Sequence, residues 1–138
     1  MSASFIVDAS VGFAWVYPGQ ATPETDRLLD EVAAGATVVV PGLWFLEVSN
    51  VLLIAQRRHR LTTMQRKAAL QKLTALHFTA DEEGARHAFG KTSELAEKYG
   101  LTIYDATYLE VALRRSLPLA SRDEALRSAA RRCGVKSL

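Results

Sequence analysis

The stretch "FIVDASVGFAW", residues 5–15, decides how the chain is read. Phe5, Ile6 and Val7 are an aromatic and β-branched run of the kind that enters a sheet. Asp8 places a carboxylate at the end of that run, Ser10 follows two residues later, and a second apolar segment then begins. An acid at the close of a strand bound for the interior stands at the edge of a core and asks for an explanation.

The alternation continues beyond this stretch. Strands are expected at 4–8, 37–40, 77–79, 117–120 and 134–136, and helices at 10–17, 23–34, 43–58, 62–75, 83–98, 104–115 and 123–132. Gly35 on one side and Pro41-Gly42 on the other bracket the strand "TVVV", Gly100 closes one helix, and Thr62 caps another. Strands alternating with helices imply an α/β domain spanning 1–138, with a central parallel sheet of about four or five strands and helices on both faces. Such sheets bind ligands beyond the carboxyl ends of their strands, where Asp8 falls.

The bulk properties exclude several classes. With 138 residues, 49% hydrophobic and 23% charged, the chain has the make-up of a folded globular domain. No apolar run approaches the roughly 20 residues of a membrane helix, and no leader pattern opens the sequence. The single cysteine, Cys133, cannot form an internal disulfide and fits a reducing cytoplasm. A cytoplasmic protein without membrane attachment is therefore expected. The net charge of +2 conceals segregation: residues 1–55 hold six acids and one Arg, whereas residues 56–80 hold six Lys or Arg and no acid. The blocks "RRHR" (57–60) and "RSAARR" (127–132) are either phosphate contacts or solvated helix faces.

Four acids occupy positions that apolar patterning does not explain. On a helical wheel of 43–58, Glu47 falls within the arc of Leu43, Trp44, Val51 and Ile54, with Asn50 beside it. A carboxylate buried there needs a cation, either a basic side chain or a metal, unless a helix end leaves it open to water. In 104–115, Asp105 lies in the arc of Ala106, Tyr108, Leu109, Ala112 and Leu113, with Glu110 and Arg114 on the opposite, polar side. The helix dipole alone would also favour an Asp there. Asp123 follows the apolar "LPLA" and equally suits an N-cap. Glu124 and the acids at 81–83 and 94–97 read as surface charge. A doubly wound fold can bring Asp8, Glu47, Asp105 and Asp123 to one sheet edge. Four ionised carboxylates share a site only with divalent cations, and hard oxygen donors suit Mg²⁺, with Mn²⁺ able to substitute. The histidines and Cys133 show no zinc spacing, and no phosphate-cradling glycine loop is present.

Taken in order, "IVDASV", "PGLWFLEVSNVL", "YDATYLEVAL" and "LASRDEAL" resemble the PIN domain, and more narrowly the VapC toxins of bacterial toxin–antitoxin systems. The resemblance covers nearly the whole chain. It implies a metal-dependent endoribonuclease in which Asp8, Glu47, Asp105 and Asp123 hold Mg²⁺ and a metal-activated water cleaves RNA. It places Ser10 and Ser121 in support of the acids, with Asn50 adjacent to Glu47. It also implies a homodimer and a cognate VapB-like antitoxin. The apolar surface of 24–58, including Leu28, Leu29, Trp44, Phe45, Leu52 and Leu53, suits either such partners or the core. The alternatives are a PIN nuclease of RNA maturation and a catalytically silent PIN-like module that binds RNA or protein. A phosphoacceptor receiver domain lacks its paired early acids and late Lys here.

Overall fold

The computed structural model describes residues 3–138. Four strands, β1 (Ser4–Val7), β2 (Thr37–Pro41), β3 (Phe78–Asp81) and β4 (Leu119–Ala120), form one sheet in the order β3-β2-β1-β4. Every pairing is parallel. Around it lie α1 (Ala9–Val16), α2 (Pro23–Ala33), α3 (Gly42–Arg57), α4 (Thr63–Thr74), α5 (Lys91–Tyr99), α6 (Ile103–Arg115) and α7 (Glu124–Arg132). Successive residues of a strand point to opposite faces. Phe5, Ile6 and Val7 are all buried, as are Val38, Val39 and Val40, so helices cover both faces of the two central strands.

The order of the sheet positions the site. Strands β1 and β4 are neighbours at the point where the chain switches direction along the sheet, and the acids after them emerge side by side. Local signals fix the helix starts. Thr22 and Thr25 cap α2 reciprocally behind Pro23, and Thr62 and Gln65 do the same for α4. Helix α5 stops at Gly100, whose φ of +65° is a left-handed conformation that glycine adopts without strain.

Four expectations need correcting. Residues 134–136 add no fifth strand; an isolated bridge between Leu119 and Ser137 follows them. The helix expected over 83–98 is two pieces: a 3₁₀ turn at Gly84–His87, then α5. Gly90, at φ −114° and ψ −105°, stands outside helical geometry between them. The surface reading of Asp81, and the polar-face reading of Glu110, are also wrong. Both are buried, and Arg114 reaches them together: its Nη2 donates to Asp81 Oδ2 at 2.7 Å and its Nε to Glu110 Oε2 at 2.9 Å. Arg115 Nε donates to Asp81 Oδ1 at 2.8 Å. Two guanidinium groups therefore hold Asp81 well below the usual carboxylate range, at a pKa of about 2, with the Arg114 hydrogen bond the larger cause.

Of the apolar residues in 24–58, Leu28, Trp44 and Leu52 are core, Leu29 and Leu53 are half-buried, and Phe45 is exposed. The buried stripe of α3 is Trp44, Val48, Leu52 and Ala55, so Glu47, Val51 and Ile54 lie along its flank rather than at its centre.

Candidate active site

Asp8 directly follows β1 and caps α1, so the sheet and a helix fix its position jointly. It is buried, and three donors meet its carboxylate. Oδ1 accepts from Ser10 Oγ at 2.6 Å and from the Val11 amide at 3.3 Å, while Oδ2 accepts from Ser121 Oγ at 2.5 Å. The two serines extend the arrangement across the sheet edge: Ser10 Oγ accepts from the Arg122 amide and Ser121 Oγ from the Asp123 amide, each at 2.9 Å. The loop after β4 is thereby tied to the acid after β1. Burial pushes the Asp8 carboxyl up, and these hydrogen bonds oppose that rise.

The backbone at Asp8 is held from below. Trp44 Nε1 donates to the Asp8 carbonyl at 3.1 Å. The indole passes so close to Gly12 that a Cβ there would stand 2.5 Å from Cζ2 of Trp44. Glycine at position 12 is thus required by close approach, not by backbone angle.

Glu47 takes a partner that the sequence reading passed over. It has no basic side chain; Tyr108 Oη donates to its Oε1 at 2.5 Å. Tyr108 is buried, and the same α6 carries Asp105 one turn earlier. The signal was available, because Tyr108 lies in the same wheel arc as Asp105, but a Tyr in an apolar arc reads as core. Burial raises the Glu47 carboxyl, and the Asp8 charge adds to the effect. Burial and the hydrogen bond to Glu47 push the Tyr108 hydroxyl far up, so it stays a donor.

Asp105 lies in the first turn of α6, whose cap is Thr102. Its carboxyl is pushed up to about 6, by burial first and then by the charges of Asp123, Asp8 and Glu47. That dependence on three other acids places the four in one electrostatic neighbourhood. Asp123 is also an N-cap, its Oδ1 accepting from the Leu126 amide at 2.9 Å. Asn50 is exposed and makes no side-chain hydrogen bond among the described residues.

None of the four acids forms an ion pair with a Lys, Arg or His among the described residues. The cluster is oxygen-only and carries surplus negative charge, which fits a hard divalent cation. As the side chains stand, no group of three His, Cys, Asp or Glu residues among those described could hold a metal ion. The donor chemistry fits, and the present side-chain settings do not enclose an ion. No helix among the described residues is long and apolar enough to cross a membrane.

A family model described as the PIN domain matches residues 5–132. No curated protein matches the sequence. Among solved structures, the fold is similar to PAE2754 from Pyrobaculum aerophilum, with a TM-score of 0.71 and 23% identity over 99% of this chain and 92% of that one. It is similar to VapBC2 from Rickettsia felis, solved with a DNA fragment from their promoter, at TM-score 0.68 and 12% identity over 98% and 97% of the two chains. It is also similar to a chain of a toxin–antitoxin complex from Klebsiella pneumoniae, at TM-score 0.55 and 17% identity over 86% of each. At these identities the structural likeness establishes the fold.

Proposed function

The chain belongs to the PIN-domain family, and from that premise we propose that it is a metal-dependent endoribonuclease and the toxin of a VapBC-type module. The observation that carries the reading is the gathering of Asp8, Glu47 and Asp123 close enough to Asp105 for their charges to bear on it, with no basic partner among the described residues. Acids repelling one another at a sheet edge destabilise a fold unless a cation serves them. Mg²⁺, or Mn²⁺ in its place, would be held by these four carboxylates and would supply Lewis acidity toward a phosphodiester and a water molecule.

The chain's own residues do the positioning. Ser10 and Ser121 clamp both oxygens of Asp8, fixing the plane of its carboxylate. Tyr108 holds one oxygen of Glu47. Outer contacts of this type hold ligands in place and are commonly worth about 10–100-fold in metal affinity or activity. The basic segments 57–60 and 127–132 flank the acids in sequence and would meet the RNA backbone. RNA loops and single strands, rather than duplex sequence, would set the cleavage site.

The toxin assignment is supported by the toxin–antitoxin complex among the structural neighbours. With it come a VapB-like antitoxin, a homodimer and a cytoplasmic location, all as part of the proposal. The test is cleavage of a mixed cellular RNA pool by the purified, antitoxin-free protein with Mg²⁺, with Mn²⁺ and with EDTA, beside Asp8→Asn. Discrete cuts that disappear with EDTA and in the variant are expected. Folded protein that cuts nothing under any condition would leave a silent binding module in its place.

A further inference from the structure

Four carboxylates present a difficulty to a polyanionic substrate, which must approach them against their charge. A cleft beside the cluster offers the opposite charge. It has a volume of about 270 Å³, lies between the first turn of α2 and the β4–α7 loop, and is lined in part by Thr22, Glu24, Thr25, Ser121, Arg122 and Arg127. Ser121 belongs to both places, because it lines this cleft and donates to Asp8 Oδ2.

The two arginines are under-used. The Arg122 amide is anchored to Ser10 Oγ, the same hydroxyl that donates to Asp8, so its backbone is fixed relative to the acids. Its side chain is exposed, rests on the neutral Gln20 with Nη1 3.0 Å from Oε1, and forms no ion pair among the described residues. Arg127 keeps 40% of its side chain exposed, yet its Nε is buried without a hydrogen-bond partner, and its one ion pair among the described residues is a 4.0 Å approach of Nη1 to Glu124. A buried guanidinium N–H without an acceptor is costly and marks a place where an acceptor belongs. The hydroxyls of Thr22, Thr25 and Ser121 already serve the α2 cap or the acid site. Glu24, exposed, is the acid among the lining residues.

We propose that Arg122 and Arg127 together grip one phosphate of the RNA chain, a neighbour of the phosphodiester presented to the acids; this rests on the nuclease reading above. Guanidinium groups match phosphate oxygens through paired N–H donors, and the shared Ser121 wall sets the gripped phosphate next to the cleavage site. The grip offsets the repulsion of the acids and fixes the direction in which the strand crosses them.

Binding of a labelled single-stranded RNA oligomer, followed by anisotropy in Mg²⁺ in the Asp8→Asn background, tests the proposal without depending on cleavage. Arg122→Ala and Arg127→Ala are each expected to weaken binding roughly tenfold whatever the sequence, and the double variant to flatten the log–log salt dependence by about 0.7, one phosphate contact. Glu24→Gln is expected to tighten binding about twofold, a change that a merely structural cleft would not produce. If Arg127→Ala unfolds, Arg122→Ala and Glu24→Gln, both at exposed positions, carry the test. Unchanged affinity and salt slope in those two variants would overturn the proposal, as would a parent that binds no RNA, or variants that lose affinity for an acidic peptide but not for RNA. Wild-type cleavage separates the two claims. RNA cut with an unchanged KM in Arg122→Ala removes the grip and leaves the nuclease, whereas weakened binding with no cleavage by wild type removes the nuclease and leaves the grip.

Discussion

Asp8 shows how much one residue is asked to do. It follows a strand, caps a helix and buries a carboxyl group, and its surroundings explain how each is tolerated. Its oxygens are met by Ser10, Val11 and Ser121, and its carbonyl by Trp44. Two predictions belong here. Ser121→Ala removes a donor from a buried carboxylate and frees the Asp123 amide, so Mn²⁺ affinity by calorimetry should fall about tenfold while the fold persists. Gly12→Ala forces a methyl group against a buried indole that is itself hydrogen-bonded to Asp8, and should destabilise the protein by about 1–3 kcal/mol in urea unfolding. The sequence made Asp8 legible because an acid directly after an apolar strand is a visible anomaly. Gly12 was not legible, since its neighbour is 32 positions away and only packing brings the two together.

Helix α6 is the element that best separates what patterning reveals from what it hides. Asp105 and Tyr108 lie on its site-facing arc, and Glu110 and Arg114 on another. A wheel reads the second pair as a solvated face. Instead the end of β3 supplies Asp81, and Arg114 closes a buried network with Asp81, Glu110 and the exposed Glu83. An acid just beyond a short apolar run reads as surface charge, and its partner, 33 residues on, leaves no local trace. The network makes a pH prediction. Asp81 has a folded pKa of about 2, below its ordinary 3.8, so its contribution is complete above about pH 4 and is lost as pH falls from 4 toward 2. Thermal melts should show wild type losing stability through that window and Asp81→Asn losing less. At neutral pH the variant should already be weaker by about 3 kcal/mol, because Arg114 and Arg115 lose a buried partner. Helix α5 teaches the same lesson on a smaller scale: polar residues over 83–98 read as one helix, and the backbone at Gly90 divides it.

For the whole molecule, the parallel α/β sheet followed from the alternation of β-branched runs with longer amphipathic segments, and the strand order then placed the ends of β1 and β4 together. Three of the four acids could be located from that order and from helix starts, whereas Glu47 was found on a flank where its wheel position had suggested the centre of a face. What no pattern could indicate was the missing partner, because a salt bridge and a metal leave the same mark on a sequence. The described structure offers these acids no basic side chain and leaves Asp105 at about 6 under the pressure of burial and three like charges. The central claim is that this cluster is built for a divalent cation and is a burden without one. Thermal melting of wild type and Asp105→Asn at pH 7.5, with EDTA and with Mn²⁺, tests it most directly. Without cation the variant should melt higher, because a repelling charge is gone; with Mn²⁺ wild type should rise by several degrees and the variant by much less. A wild-type protein indifferent to Mn²⁺ and an Asp105→Asn variant less stable than wild type in EDTA would contradict the account.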